Sequence, residues 1–136
     1  MTPAENIALG HALMEAVQAG DYDAIRNLFS DDIAIWHTFD QLDQNEDQFV
    51  RGLAWLHKYV KGLRYDDIRI AAVEGGGYVQ QHVMRIETPR MEQPAMMRAW
   101  CFNGKITRIE EYMDSAHAVP LVEFIADAQR QKNAKA

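Results

Sequence analysis

The chain has 136 residues, 48% of them hydrophobic and 25% charged, and carries a formal net charge of −6. That length and balance fit one domain with a full hydrophobic core. The acidic sign, with no basic stripe, argues against nucleic acid and against an anionic membrane surface as partners. Cys101 is the single cysteine, which excludes an intrachain disulfide and fits a reducing compartment. Met1 to Leu13 has neither a basic start nor an unbroken apolar run, so no secretory signal is expected. No stretch approaches the ~20 apolar residues of a membrane helix. A cytoplasmic protein is the expectation.

Helix one is predicted over Pro3 to Ala19. Thr2-Pro3-Ala4-Glu5 has the pattern of a capping box, and proline suits the first helical position, where no amide donor is needed. Gly20 supplies a left-handed stop, and Asp21 can cap a short helix through Leu28. Ser30-Asp31-Asp32 should break the chain before a strand, Ile33 to His37, and Asp40 to Asn45 reads as a polar loop. In the next helix, Glu46 to Lys61, one apolar stripe joins Phe49, Leu53, Leu56 and Val60. Gly62 ends it. Three strands follow, Tyr65 to Glu74, Tyr78 to Glu87 and Ala95 to Phe102, the first two joined by Gly75-Gly76-Gly77. Pro120 opens a terminal helix with Leu121, Val122 and Ile125, and the polar tail after Gln129, about residues 130–136, should fray.

Asn103-Gly104 between two apolar-rich runs predicts a tight two-residue turn into a last strand, since both residues tolerate positive φ. That strand ends in Ile109-Glu110-Glu111-Tyr112-Met113-Asp114. Side chains alternate faces, so at least one carboxylate must share the face of Ile109. A carboxylate on the core side of a curved sheet needs a partner or a task. Helices first and hairpin-linked strands afterwards indicate an α+β domain. A bent antiparallel sheet covered by the early helices leaves a cone with a concave, apolar mouth, a common ligand site.

This order of elements resembles the nuclear-transport-factor-2-like superfamily of ketosteroid isomerases, SnoaL-like polyketide cyclases and limonene epoxide hydrolases, along nearly the whole chain. The residues that carry the resemblance are Ala19-Gly20-Asp21, Leu28-Phe29-Ser30-Asp31-Asp32, Trp36-His37, Gln80-Gln81-His82-Val83, and Gly104-Lys105-Ile106 through Glu111-Tyr112-Met113-Asp114. A SnoaL-like Trp-His and Glu-Tyr-x-Asp are the nearest match. The resemblance implies a cone-shaped domain, residues 1–136, and a homodimer formed through the outer face of its sheet. It places an isomerase's carboxylate base at His37, its oxyanion tyrosine at Leu13 and its second oxyanion donor near Arg98, so that machinery is not carried over. The water-activating Asp-Arg-Asp of the epoxide hydrolases would fall at Met84, His82 and Glu111, with two of the three changed. The acid/base carboxylate of the cyclases falls at Glu111, and that match survives.

Several side chains are then candidates, each with a plainer alternative. His37 shares a face with Ile33 and Ile35 and is either a general base or a hydrogen-bonded core histidine. Gln80 and His82 share a face with Met84 and converge on a ligand if that face is the concave one. Glu111 shares a face with Ile109 and Met113, and desolvation should raise its pKa and make it a proton donor. Alternatively it faces solvent beside Lys105 or Arg108, or a bulge turns Tyr112 and Asp114 inward instead. Asp114 has the simpler role of fixing the turn before the last helix. Arg98 and Trp100 could hold a developing negative charge against an aromatic wall, or form a salt bridge to Glu111 or Glu87 beside plain core.

No His-x-His or His-Glu-x-x-His pattern is present, so no metal is expected. The expected activity is cofactor-free isomerisation, cyclisation or dehydration of a small apolar molecule. His37 abstracts or relays a proton, Glu111 returns it, His82 orients one of them, and Arg98 steadies charge. Gln80, Trp36, Trp100, Tyr112 and Asp114 are expected in binding. The rivals are a non-catalytic binding or assembly module, and epoxide hydrolysis by a water held between His82 and Glu111.

Overall fold

The computed structural model describes residues 1–135. The elements are α1 (Pro3–Ala19), α2 (Tyr22–Leu28), β1 (Phe29–His37), β2 (Asp43–Gln44), α3 (Glu46–Tyr59), β3 (Arg64–Ala72), β4 (Tyr78–Ile86), β5 (Met91–Phe102), β6 (Lys105–Met113) and α4 (Val119–Ala134), with a 3-10 turn at Ser115–Ala118 before α4. The strands form one six-stranded sheet in the order β2-β1-β6-β5-β4-β3. Every neighbouring pair is antiparallel except β1 and β6, which run parallel. The chain is an α+β protein with a curved, open, mixed sheet.

Local chemistry sets the element ends. At the start of α1, Thr2 Oγ1 accepts from the Glu5 amide at 3.1 Å and Glu5 accepts from the Thr2 amide at 2.7 Å. Asn45 and Gln48 repeat this reciprocal cap on α3, at 2.8 and 2.9 Å. Asn103 and Gly104 both have positive φ, 51° and 75°, as a hairpin turn with the right twist requires.

Three register shifts bend the sheet, in β1 between Phe29 and Ala34, in β3 between Asp66 and Arg69, and in β6 at Thr107, opposite Trp100 and Cys101 of β5. α1 and α3 cover the concave face, packing Leu13, Val17, Val50 and Leu53 with Ile35, Met97, Ala99 and Ile109 in one core. α1 approaches closely because position 10 is glycine: a Cβ there would meet Ile70 and Tyr78 at 3.0 Å. A second, smaller cluster of Val60, Ile86 and Met91 receives Leu121 and Phe124 of α4.

Four boundaries differ from expectation. Ser30-Asp31-Asp32 lies within β1 rather than breaking the chain; its carboxylates sit exposed in the irregular stretch, where alternation is already interrupted. The loop at Asp40 to Asn45 contains β2. β5 begins at Met91, not Ala95, and passes through Pro94, a residue that interrupts most strands. It does so where β5 has outrun β6, so only β4 remains to be paired. α4 continues to Ala134, past the point of expected fraying, because residues after Gln129 include no glycine or proline to stop it, and Arg130 pairs with Asp127. Residue 136 of the expected tail lies outside the described residues. No helix among the described residues is long and apolar enough to cross a membrane.

Candidate active site

Between the concave face of the sheet and the helices lies a cavity of about 370 Å³. Its wall is mostly aliphatic and methionine-rich, including Met84, Met91, Met97 and Met113. Ala118, Leu121, Val122 and Ile125, from the C-terminal part of the chain, also line it. The polar groups gather on one part of the wall.

The sheet register explains how they meet. His37 stands opposite Glu111 across the parallel β1–β6 pair, and Glu111 stands opposite Met97 of β5, which stands opposite Gln80 of β4. One row further, His82 is opposite Ala95. Ala95 has the same parity as the cavity-lining Gln93 and Met97, so only a methyl group separates His82 from β6. His82 Nε2 reaches over it to Glu111 Oε1 at 3.3 Å, while His37 Nε2 lies 3.5 Å from Glu111 Oε2. The carboxylate is thus held on both oxygens by imidazoles from two other strands.

Gln80 is sealed behind them, fully buried, and its Nε2 donates to His82 Nδ1 at 2.9 Å. That partnership leaves the proton of His82 on Nε2, where it donates to Glu111. Tyr65 packs edge-on against the His82 ring with centroids 5.3 Å apart. Burial, with the Glu111 charge second, pushes the Tyr65 hydroxyl well above its ordinary value. His37 has a different second nitrogen: its Nδ1 is buried and has no hydrogen-bond partner among the described residues. Phe39 stacks on the His37 ring at 5.2 Å.

The electrostatics of Glu111 run against the sequence expectation. Burial pushes its carboxyl up, but hydrogen bonds from His37 and His82, together with their charges, outweigh burial and hold it down at about 2. Glu111 is therefore a carboxylate near neutral pH, not a proton donor. Its place in the chain could be foreseen from alternation; its two imidazole partners, from strands remote in sequence, could not.

The structure brings His37, His82 and Glu111 together, with Gln80 behind His82. The other expected binding residues lie elsewhere, and strand period is the reason. Arg98 and Trp100 share the outer face with Met96, opposite in parity to the cavity-lining Met97. The guanidinium lies 4.5 Å over the Trp100 ring, donates to Gly76 O at 2.9 Å and also bonds Ala99 O, so it meets neither Glu111 nor Glu87. Trp36 and Tyr112 pack on each other at 5.4 Å outside the cavity, and Tyr112 Oη donates to Glu110. The register shift of β5–β6 falls before Arg108, so the end of β6 alternates regularly and Tyr112 stays outside. Asp114 caps the 3-10 turn, accepting from the Ala116 amide at 2.9 Å.

Gln93 is a wall residue that the sequence reading passes over. Its signal was the alternation Met91-Gln93-Ala95-Met97, hidden because Pro94 made the strand appear to begin later. Among the described residues, no group of three or more His, Cys, Asp or Glu side chains has an arrangement that could hold a metal ion.

Comparison with known proteins agrees with this architecture. The SnoaL-like domain family matches residues 11–109. Among curated proteins, none matches this sequence. Among solved structures, PrhC from Penicillium brasilianum superposes with a TM-score of 0.77 at 14% identity, over 95% of this chain and 93% of that one. An epoxide hydrolase of M. tuberculosis, similar to limonene epoxide hydrolase, gives 0.72 at 20% identity, over 94% and 96%. A nuclear-transport-factor-2-like protein from Burkholderia xenovorans gives 0.68 at 16%, over 86% and 95%. At these identities the likeness is one of fold. The chain belongs to the SnoaL-like domain family, and its fold is that of nuclear-transport-factor-2-like proteins.

Proposed function

We propose that this protein is a cofactor-independent acid/base enzyme, of the isomerase, cyclase or dehydratase type, acting on a small, largely apolar molecule in the conical cavity. The observation that carries this reading is a half-buried carboxylate bonded to two imidazoles on the wall of a largely apolar hollow. Donation from His37 Nε2 to Glu111 leaves Nδ1 as a lone pair with no partner among the described residues. That nitrogen takes the substrate proton. The adjacent carboxylate stabilises the imidazolium that forms, and the same imidazolium returns the proton to another atom of the substrate. His82, fixed by Gln80, clamps the second carboxylate oxygen and keeps Glu111 in place. Glu111 thus serves as the countercharge rather than as the returning acid.

Neither rival explains these features as well. A non-catalytic module would have its polar groups mutually satisfied and its hollow filled, whereas His37 Nδ1 is unpaired and about 370 Å³ stands open. Water activation needs a water between His82 and Glu111, and their direct contact at 3.3 Å leaves no room for one.

Proton transfer can be read without the natural substrate. In D2O, the wild-type protein should accelerate loss of the α-protons of apolar ketones such as 2-tetralone, followed by NMR. His37→Ala and Glu111→Gln should each lower that rate by about 10²-fold or more, the usual scale of positioned proton transfer. Binding of the ketone should change little. Exchange that is equal in wild type and variants removes these roles.

The outer sheet face is the proposed dimer surface. Met96 and Tyr112 are cross-strand neighbours there, 46% and 50% exposed, among charges of both signs from Arg108 and Glu110. Such a patch is self-complementary, as a two-fold interface requires.

A further inference from the structure

We propose that Gln93 determines specificity in this cavity: its side-chain carbonyl accepts a hydrogen bond from the substrate, so the substrates are neutral apolar molecules bearing a hydroxyl or N–H group. The inference rests on the reading of the cavity as a substrate pocket and narrows what that pocket takes.

Gln93 is 1% exposed and forms part of the cavity wall. Its Nε2 donates twice, to Pro94 O and to Asp114 O, both at 3.1 Å. Those two bonds settle the amide orientation, because a flipped amide would press its oxygen against two carbonyl oxygens. The oxygen is therefore fixed as an acceptor. Oε1 is buried and has no hydrogen-bond partner among the described residues. A buried acceptor left unpaired is costly, and native interiors rarely leave one without a use.

Oε1 carries almost no open surface, yet its neighbours are adaptable. Met84 stands opposite Gln93 in the β4–β5 register, and Met91 precedes it on the same face. Methionine side chains shift at little cost, so a donor on a bound molecule can reach the oxygen. The charge of the wall limits the ligand further. Among the described residues no Lys or Arg lines the cavity, and the ionised Glu111 already occupies both imidazoles, so an anionic molecule meets no free countercharge. A site built around an unpaired acceptor rejects an analogue that lacks the matching donor.

The probes are 2-naphthol and 2-methoxynaphthalene, which differ in whether the oxygen can donate. Their affinities for wild type, Gln93→Met and Glu111→Gln are measured by calorimetry, with circular dichroism to check folding. Wild type should bind naphthol at least about fivefold more tightly than the ether. Gln93→Met should erase that preference without weakening the ether, and Glu111→Gln should keep it. Equal binding of both probes by wild type overturns the Gln93 assignment alone, as does a preference that survives Gln93→Met. Failure of both probes to bind wild type overturns the pocket reading and this inference with it. If Gln93→Met does not fold, a crystal structure of wild type with naphthol decides: its oxygen within about 3.2 Å of Oε1 supports the proposal, and any other placement overturns it.

Discussion

Glu111 concentrates the chemistry of the cavity in one side chain. Its pKa lies at about 2 rather than 4.5, so folding favours the ionised form. The sign of the linkage follows: the added stability is fully present above pH 4.5 and is lost as the pH falls towards 2. Between those values wild type should lose up to about 3 kcal/mol of unfolding free energy through this group. Glu111→Gln should flatten the profile in that window when urea unfolding is followed at stepped pH. At this scale much was legible in the sequence. Period-2 alternation placed His37, His82 and Glu111 on inward faces, and those positions converge in space. Alternation also contained the answer for Arg98 and Trp100, whose parity with exposed Met96 puts them outside. The direction of the Glu111 pKa was not legible, because it depends on two histidines brought alongside by sheet register.

Among the elements, β5 decides whether the site exists. It lies between β4, which carries His82, and β6, which carries Glu111, and the two side chains meet only because Ala95 intervenes. Ala95→Leu should separate them. The fold should persist with a loss of about 1–3 kcal/mol from overpacking. Proton-exchange activity should fall as far as in Glu111→Gln, and the acid sensitivity assigned to Glu111 should shrink, both measured on the same preparation. The elements themselves were read well where caps and turns are local: Thr2 to Glu5, Gly20-Asp21 and Asn103-Gly104 each mark a boundary by backbone chemistry. The reading failed where a tertiary partner overrides a local rule. Pro94 is tolerated because β6 has already ended, and Asp31-Asp32 because β1 is irregular there.

For the whole molecule, on the proposed reading, the two faces of one sheet divide the work, the hollow for a ligand and the outer surface for a second copy. Replacing both Met96 and Tyr112 by lysine places like charges at the centre of the proposed interface. Sedimentation velocity should then give a monomer where wild type gives a dimer, with the thermal transition otherwise retained. A wild-type monomer at micromolar concentration would remove the dimer from this account. The fold was recognisable from the order of helices and strands, since that order depends on local signals spread along the chain. The expected dimer rests on the resemblance alone, because no single segment encodes the outer surface: Met96 and Tyr112 become neighbours only through pairing of β5 with β6.

The seating of α4 bears on traffic through the cavity. The helix has no buried residue, yet Leu121, Val122 and Ile125 line the cavity and Leu121 and Phe124 rest on a small cluster of their own. On the proposed reading, a guest would share its wall with an element held outside the main core, and its release would depend on how firmly that element is seated.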